Sequence, residues 1–129
     1  MPARDLILLS RQASLYAAVF VYHLATTEIY AFEDAAAAVS RAATGEAAVV
    51  LFDTRGFPAV RGTLNRLVAA SGDTDVVVLG PRDDLGGDQL QPESGTLRFL
   101  PPDTPVAEIQ SVIELLLRMR RVRREGGIV

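Results

Sequence analysis

An α/β fold, a three-layer sandwich with helices on both faces of a parallel sheet, is predicted by three observations. Four short runs, Leu6–Leu9, Ala48–Phe52, Val76–Leu79 and Leu97–Leu100, are almost wholly apolar instead of alternating, as strands covered on both faces are. Segments with helical spacing lie between them, which argues for β-α-β crossovers. The length of 129 residues and 49% hydrophobic content suit one domain with one buried core. That domain is expected over residues 1–125, with 126–129 a disordered tail or the start of a linker at Gly126-Gly127.

The elements follow in order. Leu6–Leu9 opens the sheet, and Ser14 to Thr26, rich in Leu, Ala and Tyr and preceded by a serine that can cap it, reads as the first helix. Glu28–Phe32 alternates more like an edge strand. Asp34 caps an Ala-rich helix that Gly45 ends at C′. Pro58 to Ala70 carries Val60, Leu64, Leu67 and Val68 at helical spacing, and Asp73-Thr74-Asp75 forms a turn to which no chemistry is assigned. Pro81 to Gly95, with Gly86-Gly87 and Pro92, leaves room for one short helix at best. Thr104-Pro105 then reads as N-cap and N1 of a final helix. Ile109, Val112, Ile113, Leu116 and Leu117 give it an apolar stripe expected to pack on the sheet as far as Leu117.

Composition excludes several functions. The chain has no cysteine and one histidine, His23, so thiolate chemistry, a disulfide framework and Cys- or His-rich metal sites are absent. It also has no lysine, which removes the P-loop. The general-base inventory of a small hydrolase reduces to carboxylates, so no catalytic residue is expected. No run approaches the roughly 20 apolar residues of a membrane span, and no secretory leader is visible, so a cytoplasmic protein without membrane contact is expected. Asp83, Asp84 and Asp88 lack an EF-hand frame, and neither a metal nor a cofactor is expected. Five arginines against Glu125 give residues 118–129 a charge of +4, leaving −7 of the total −3 on the body. An acidic body is not a nucleic-acid-binding surface, and the arginines complement the helix C-terminus.

One carboxylate stands out, because Ala48–Phe52 runs directly into Asp53, at the strand end where open α/β sheets display reactive groups. Asp53 is followed by Arg55-Gly56-Phe57-Pro58 and Gly62; the later segment Gly95-Thr96-Leu97-Arg98-Phe99-Leu100-Pro101-Pro102-Asp103-Thr104-Pro105 forms a strand and turn. In these two segments, and in order and spacing over nearly its whole length, the chain resembles the receiver domain of bacterial two-component response regulators, the CheY-like family. The resemblance implies a five-stranded parallel sheet in the flavodoxin-like order 2-1-3-4-5 with a short or degenerate fourth helix. It places Asp53 at the phospho-acceptor position and Phe99 at the aromatic switch position.

The other functional positions depart from the family. Its acidic, magnesium-holding pair falls on Ser10 and Arg11, its strand-four hydroxyl residue on Gly80 and its strand-five lysine on Pro102. These losses remove the cation and donors on which phosphoryl transfer relies. The Arg11 guanidinium is placed either to reach Asp53 and stand where the metal would be, or to point to solvent. The resemblance therefore implies an atypical receiver-like signalling domain, independent of phosphorylation and Mg2+, acting by contact with a protein partner or output domain, or as a homodimer. Phe99, the basic end of the last helix with Arg118 and Arg121, and the first helix are the candidate partner surfaces. In that helix Leu15, Ala18, Val19 and Tyr22 can face the sheet, leaving Tyr16, Phe20 and His23 on a stripe that is either partly exposed or covered by the last helix. Two alternatives stand beside this reading. One is a genuine phospho-acceptor modified on Asp53 by a histidine kinase. The other is a STAS-like anti-sigma-factor antagonist, which would open on a β-hairpin instead of a strand leading straight into a helix.

Overall fold

The computed structural model describes residues 5–24, 27–80 and 96–126, with side chains described as far as Met119 and outside Tyr22 and His23. The expectations for Pro81 to Gly95, including the Asp83, Asp84 and Asp88 carboxylates and the fourth helix, lie outside the described residues. So do the side chains of His23 and Arg121 and residues 127–129.

The element order is β1 (Asp5–Leu9), α1 (Ala13–His23), β2 (Ile29–Phe32), α2 (Ala35–Ala42), β3 (Ala47–Asp53), α3 (Val60–Ser71), β4 (Asp75–Leu79), β5 (Leu97–Leu100) and α4 (Val106–Gly126). All strand pairs are parallel and the sheet runs β2-β1-β3-β4-β5. β1, β3 and β4 are buried along their whole length, whereas the edges β2 and β5 are only partly covered. Three of the four apolar runs of the sequence are therefore the central strands; the fourth, Leu97–Leu100, is instead an edge strand with Arg98 exposed, as β2 is an edge. Among the described residues no β-hairpin opens the sheet: β1 leads directly into α1, which removes the basis of the STAS-like alternative.

Side-chain alternation divides the core. Leu6, Leu8, Val49 and Leu51 face a layer formed by α1 and α4, with Tyr16, Phe20, Ile109, Ile113 and Leu116 packed on them. Ile7, Leu9, Val50 and Phe52 face α2 and α3, through Ala38, Ala42, Leu64, Leu67 and Val68. Asp53, two residues beyond Leu51, thus projects toward the α1 side at the carboxyl end of the sheet.

Helix ends follow local chemistry with three departures. Asp34 Oδ2 accepts from the Ala37 amide at 3.0 Å, the expected cap of α2, but Ala43 is its C-cap, so Gly45, at φ 77°, turns the chain one residue beyond the expected C′ position. No side chain caps α1; the serine before it, Ser10, instead accepts from the Gln12 amide at 2.9 Å and holds the β1–α1 turn. At α4, Thr104 does not cap: its hydroxyl donates back to the Pro101 carbonyl at 2.6 Å, and Pro105 accepts the first helical bond, from Ile109. Pro105 is therefore N-cap, not N1.

The face of α1 is rotated from expectation. Leu15 is 58% exposed, while Tyr16 and Phe20 are 4% and 0% exposed in the cluster that α4 helps to form, so these two residues of the stripe offered as a partner surface are buried. The physical reason is volume: two aromatic rings, 5.9 Å apart, fill the gap between α1 and α4 better than Leu15 and Ala18. Among the described side chains of α4, burial reaches Leu117, and Met119 is 43% exposed.

Phe20→Ala is expected to cost roughly 3–5 kcal/mol and Leu15→Ala less than about 0.5 kcal/mol, measured by denaturant unfolding. The reverse order would place the core face of α1 where the sequence periodicity put it.

Candidate functional site

Asp53 ends β3 with 2% exposure, beside the end of β1 in the crevice where helices leave the sheet to opposite faces. An ionised carboxylate has about four acceptor sites, and burial without partners is costly. Here four donors of the chain fill them. Oδ1 accepts from the Arg55 backbone amide at 3.2 Å and from Arg55 Nε at 2.9 Å; Oδ2 accepts from Arg55 Nη2 at 3.0 Å and from the Ser10 hydroxyl at 2.9 Å.

The arginine at the carboxylate is thus Arg55 and not Arg11. Asp53 forms an Asx-type turn with the amide two residues on, which aims the Arg55 side chain back over its carboxylate. Gly56, at φ 81°, then reverses the chain. Arg11 is exposed, its guanidinium 4.5 Å from the centre of the Phe57 ring, and that ring packs edge-on against Phe52. A Cβ on Gly56 would lie 3.1 Å from Arg11 Cγ, so the glycine also gives Arg11 its place. The salt bridge of Arg11 with Asp53 does not form; Arg55 of the adjacent loop takes that place, because two residues of tether reach the carboxylate more directly than a side chain beyond β1.

Arg55 Nη2 also donates to the Tyr16 hydroxyl at 2.7 Å. Burial, then the nearby Asp53 charge, raises the Tyr16 pKa above its ordinary value, against the opposing influence of Arg55. The hydrogen bond to Asp53 likewise raises that of Arg55.

Gly80, at the strand-four position, has no space for a side chain. A Cβ there would meet Thr54 Oγ1 at 2.6 Å, and that hydroxyl is turned to the Leu79 carbonyl at 2.7 Å. Pro102 is exposed, in a depression of about 590 Å³ shared with Gly80 and Phe99. Phe99 is half-buried against the α2–α3 core. Arg118 is exposed on α4. Sequence reasoning missed Arg55 and Thr54, whose only signal was their closeness to Asp53. It also gave no role to Asp75, which is fully buried and accepts from the Thr96 amide and hydroxyl at 2.9 Å each, tying β5 to β4.

The arrangement does not fit the divalent cation of receiver chemistry. Ser10 donates to Asp53 instead of offering a carboxylate, and a guanidinium covers the outer side of the aspartate. Among the described residues no three His, Cys, Asp or Glu side chains gather to hold a metal ion.

No protein-family model matches the chain, and no curated protein sequence matches it. Solved structures do. The beryllofluoride-activated NtrC receiver domain superposes with a TM-score of 0.70 at 14% identity, over 92% of this chain and 98% of that one. The receiver domain of a LuxO-like repressor from Vibrio parahaemolyticus gives 0.62 at 14% identity, over 95% and 96%. The inactive regulatory domain of the repressor of iron transport regulator, RitR, gives 0.64 at 13% identity, over 89% and 95%. The chain therefore has the CheY-like receiver fold, with the sheet order the resemblance implied.

Two outcomes check this geometry. Gly80→Ala is expected to cost about 1–3 kcal/mol, with Thr54→Ala in the same chain recovering most of it in denaturant unfolding. The raised Tyr16 pKa contributes stability that is full below the unfolded-chain value near ~10 and is lost as pH rises through the folded value. The stability advantage of the native chain over Tyr16→Phe should therefore narrow above that pH, and a constant gap would contradict the assignment.

Proposed function

We propose that the chain is an atypical receiver-like signalling domain that acts by protein contact, independently of phosphorylation and Mg2+ and without catalysis of its own. The observation that carries this reading is the closure of Asp53: all four of its acceptor sites are filled by Ser10 and Arg55. A phospho-acceptor needs a free oxygen lone pair for in-line attack on phosphorus, and a cation with donors to neutralise the transferred group. The position of the lysine is Pro102 and that of the hydroxyl residue Gly80, and the cation present is tethered to the nucleophile itself. Arg55 would lower the nucleophilicity of the carboxylate and obstruct the donor's approach.

Contact-based output draws support from α4. Its 21 residues span about 32 Å, and it continues beyond Leu117, the last partly buried apolar residue among those with described side chains, presenting exposed Leu115, Met119 and Arg118. A protein partner, a fused output domain or a second copy is the expected reader, in the cytoplasm; no helix among the described residues is long and apolar enough to cross a membrane.

Incubation with acetyl phosphate or beryllofluoride and magnesium, read by intact mass and by fluorine NMR, tests the reading. An unmodified chain is expected. A stoichiometric adduct on Asp53 would establish the phospho-acceptor alternative instead. Arg55→Ala is expected to destabilise the fold by about 1–3 kcal/mol, since it leaves a buried carboxylate with one side-chain donor, a cost moderated by the half-exposed position of Arg55.

A further inference from the structure

The carboxylate site and the aromatic core share one side chain. Arg55 Nη2 donates to Asp53 Oδ2 at 3.0 Å and to the Tyr16 hydroxyl at 2.7 Å, so the guanidinium that answers the charge of Asp53 is also bonded to a residue of α1. Tyr16 is 4% exposed and packs with Phe20 in the cluster that contains Ile109, Ile113 and Leu116 of α4. A change at Asp53 thus reaches, after two side chains, the core cluster to which α4 contributes Ile109, Ile113 and Leu116.

The opposite route is interrupted. Gly80 carries no hydroxyl that could follow the state of Asp53, and Thr54, which fills its space, is fixed on the Leu79 carbonyl. Phe99 lies against the α2–α3 core, on the other face of the sheet from Tyr16. A core packed to crystal-like density passes a displacement to the groups in contact with it, which favours the face holding the hydrogen-bonded chain.

Resting on the reading of Arg55 as the resident counter-ion of Asp53, we propose that Arg55 and Tyr16 form a relay that couples this site to the α1–α4 layer, in place of a route through β4 and β5 to Phe99. Arg55 is the movable part. Its side chain is 50% exposed against 2% for Asp53, and Nη1 makes no hydrogen bond among the described residues, so a change of charge at the site is met by the guanidinium first. Tyr16 is a positioning residue in this scheme.

The test is a double-mutant cycle read by methyl and amide NMR on the native chain, Asp53→Asn, Tyr16→Phe and the double variant. Asp53→Asn is expected to shift the methyl signals of Ile109, Ile113 and Leu116 while leaving Phe99 and its neighbours in β5 unchanged. In the Tyr16→Phe background those α4 shifts should fall at least about threefold. Equal α4 shifts in both backgrounds, or a larger response at Phe99, would overturn the relay. Should Asp53→Asn fail to fold, Arg55→Lys, which keeps the charge but cannot span both oxygens and Tyr16, is expected to give the same α4 shifts with the same dependence on Tyr16. Magnesium titration of the native chain separates the two claims: binding at Asp53 contradicts the counter-ion reading, whereas no binding together with additive shifts contradicts only the relay.

Discussion

A carboxylate with 2% exposure at the end of the central strand imposes a condition on everything around it. Its charge must be matched and its lone pairs filled, or the fold loses several kcal/mol. Asp53 meets the condition with Arg55 and Ser10, and the neighbouring loops follow. Ser10 donates to Asp53 while accepting from the Gln12 amide, which ties the β1–α1 turn to β3. The Asp53–Arg55 turn needs the reversal at Gly56, and Gly56 in turn leaves room for Arg11 on Phe57. Thr54, next in the chain, takes the space over Gly80.

The consequence for function lies in the difference between a tethered cation and a dissociable one. A metal ion in such a crevice exchanges with solution, so its carboxylates stay available for a reaction that requires them. A guanidinium two residues away is present at a high effective concentration, bonds both oxygens in a forked geometry and holds its charge at every relevant pH. The chain has the strand order of the receiver fold, and at the end of its central strand both oxygens of Asp53 are occupied by groups of the chain itself. Tyr16 extends that closed network into the core beneath α4, the helix that also presents an exposed apolar and basic surface.

Much of the fold was legible in the sequence, because burial on both faces writes itself into strands as unbroken apolar runs, and Asp34 and Gly45 carry their local conformations with them. The registers of short elements were less legible. In α1 apolar residues lie on nearly every side, so periodicity could not distinguish Leu15 from Tyr16; the choice was made by ring volume against α4, a tertiary effect. At the site, the position of Asp53 was readable at the end of an apolar run, and the departures at Ser10, Arg11, Gly80 and Pro102 followed from the resemblance to receiver domains. The identity of its new partner was not, because an arginine on a loop has a wide reach, and the deciding feature, an Asx-type turn folding Arg55 back, exists only once the backbone is placed. Asp75 was passed over for a similar reason: its partner Thr96 is distant in sequence.

The central claim is that in the native chain the Arg55 guanidinium is the resident counter-ion of Asp53, and side-chain nitrogen NMR of Arg55 measures it most directly. A resolved, slowly exchanging Nε–H signal at neutral pH, unmoved by millimolar magnesium and displaced by Asp53→Asn, is the predicted result. An averaged, rapidly exchanging signal, with magnesium instead shifting the resonances of Asp53 and Ser10, would contradict it.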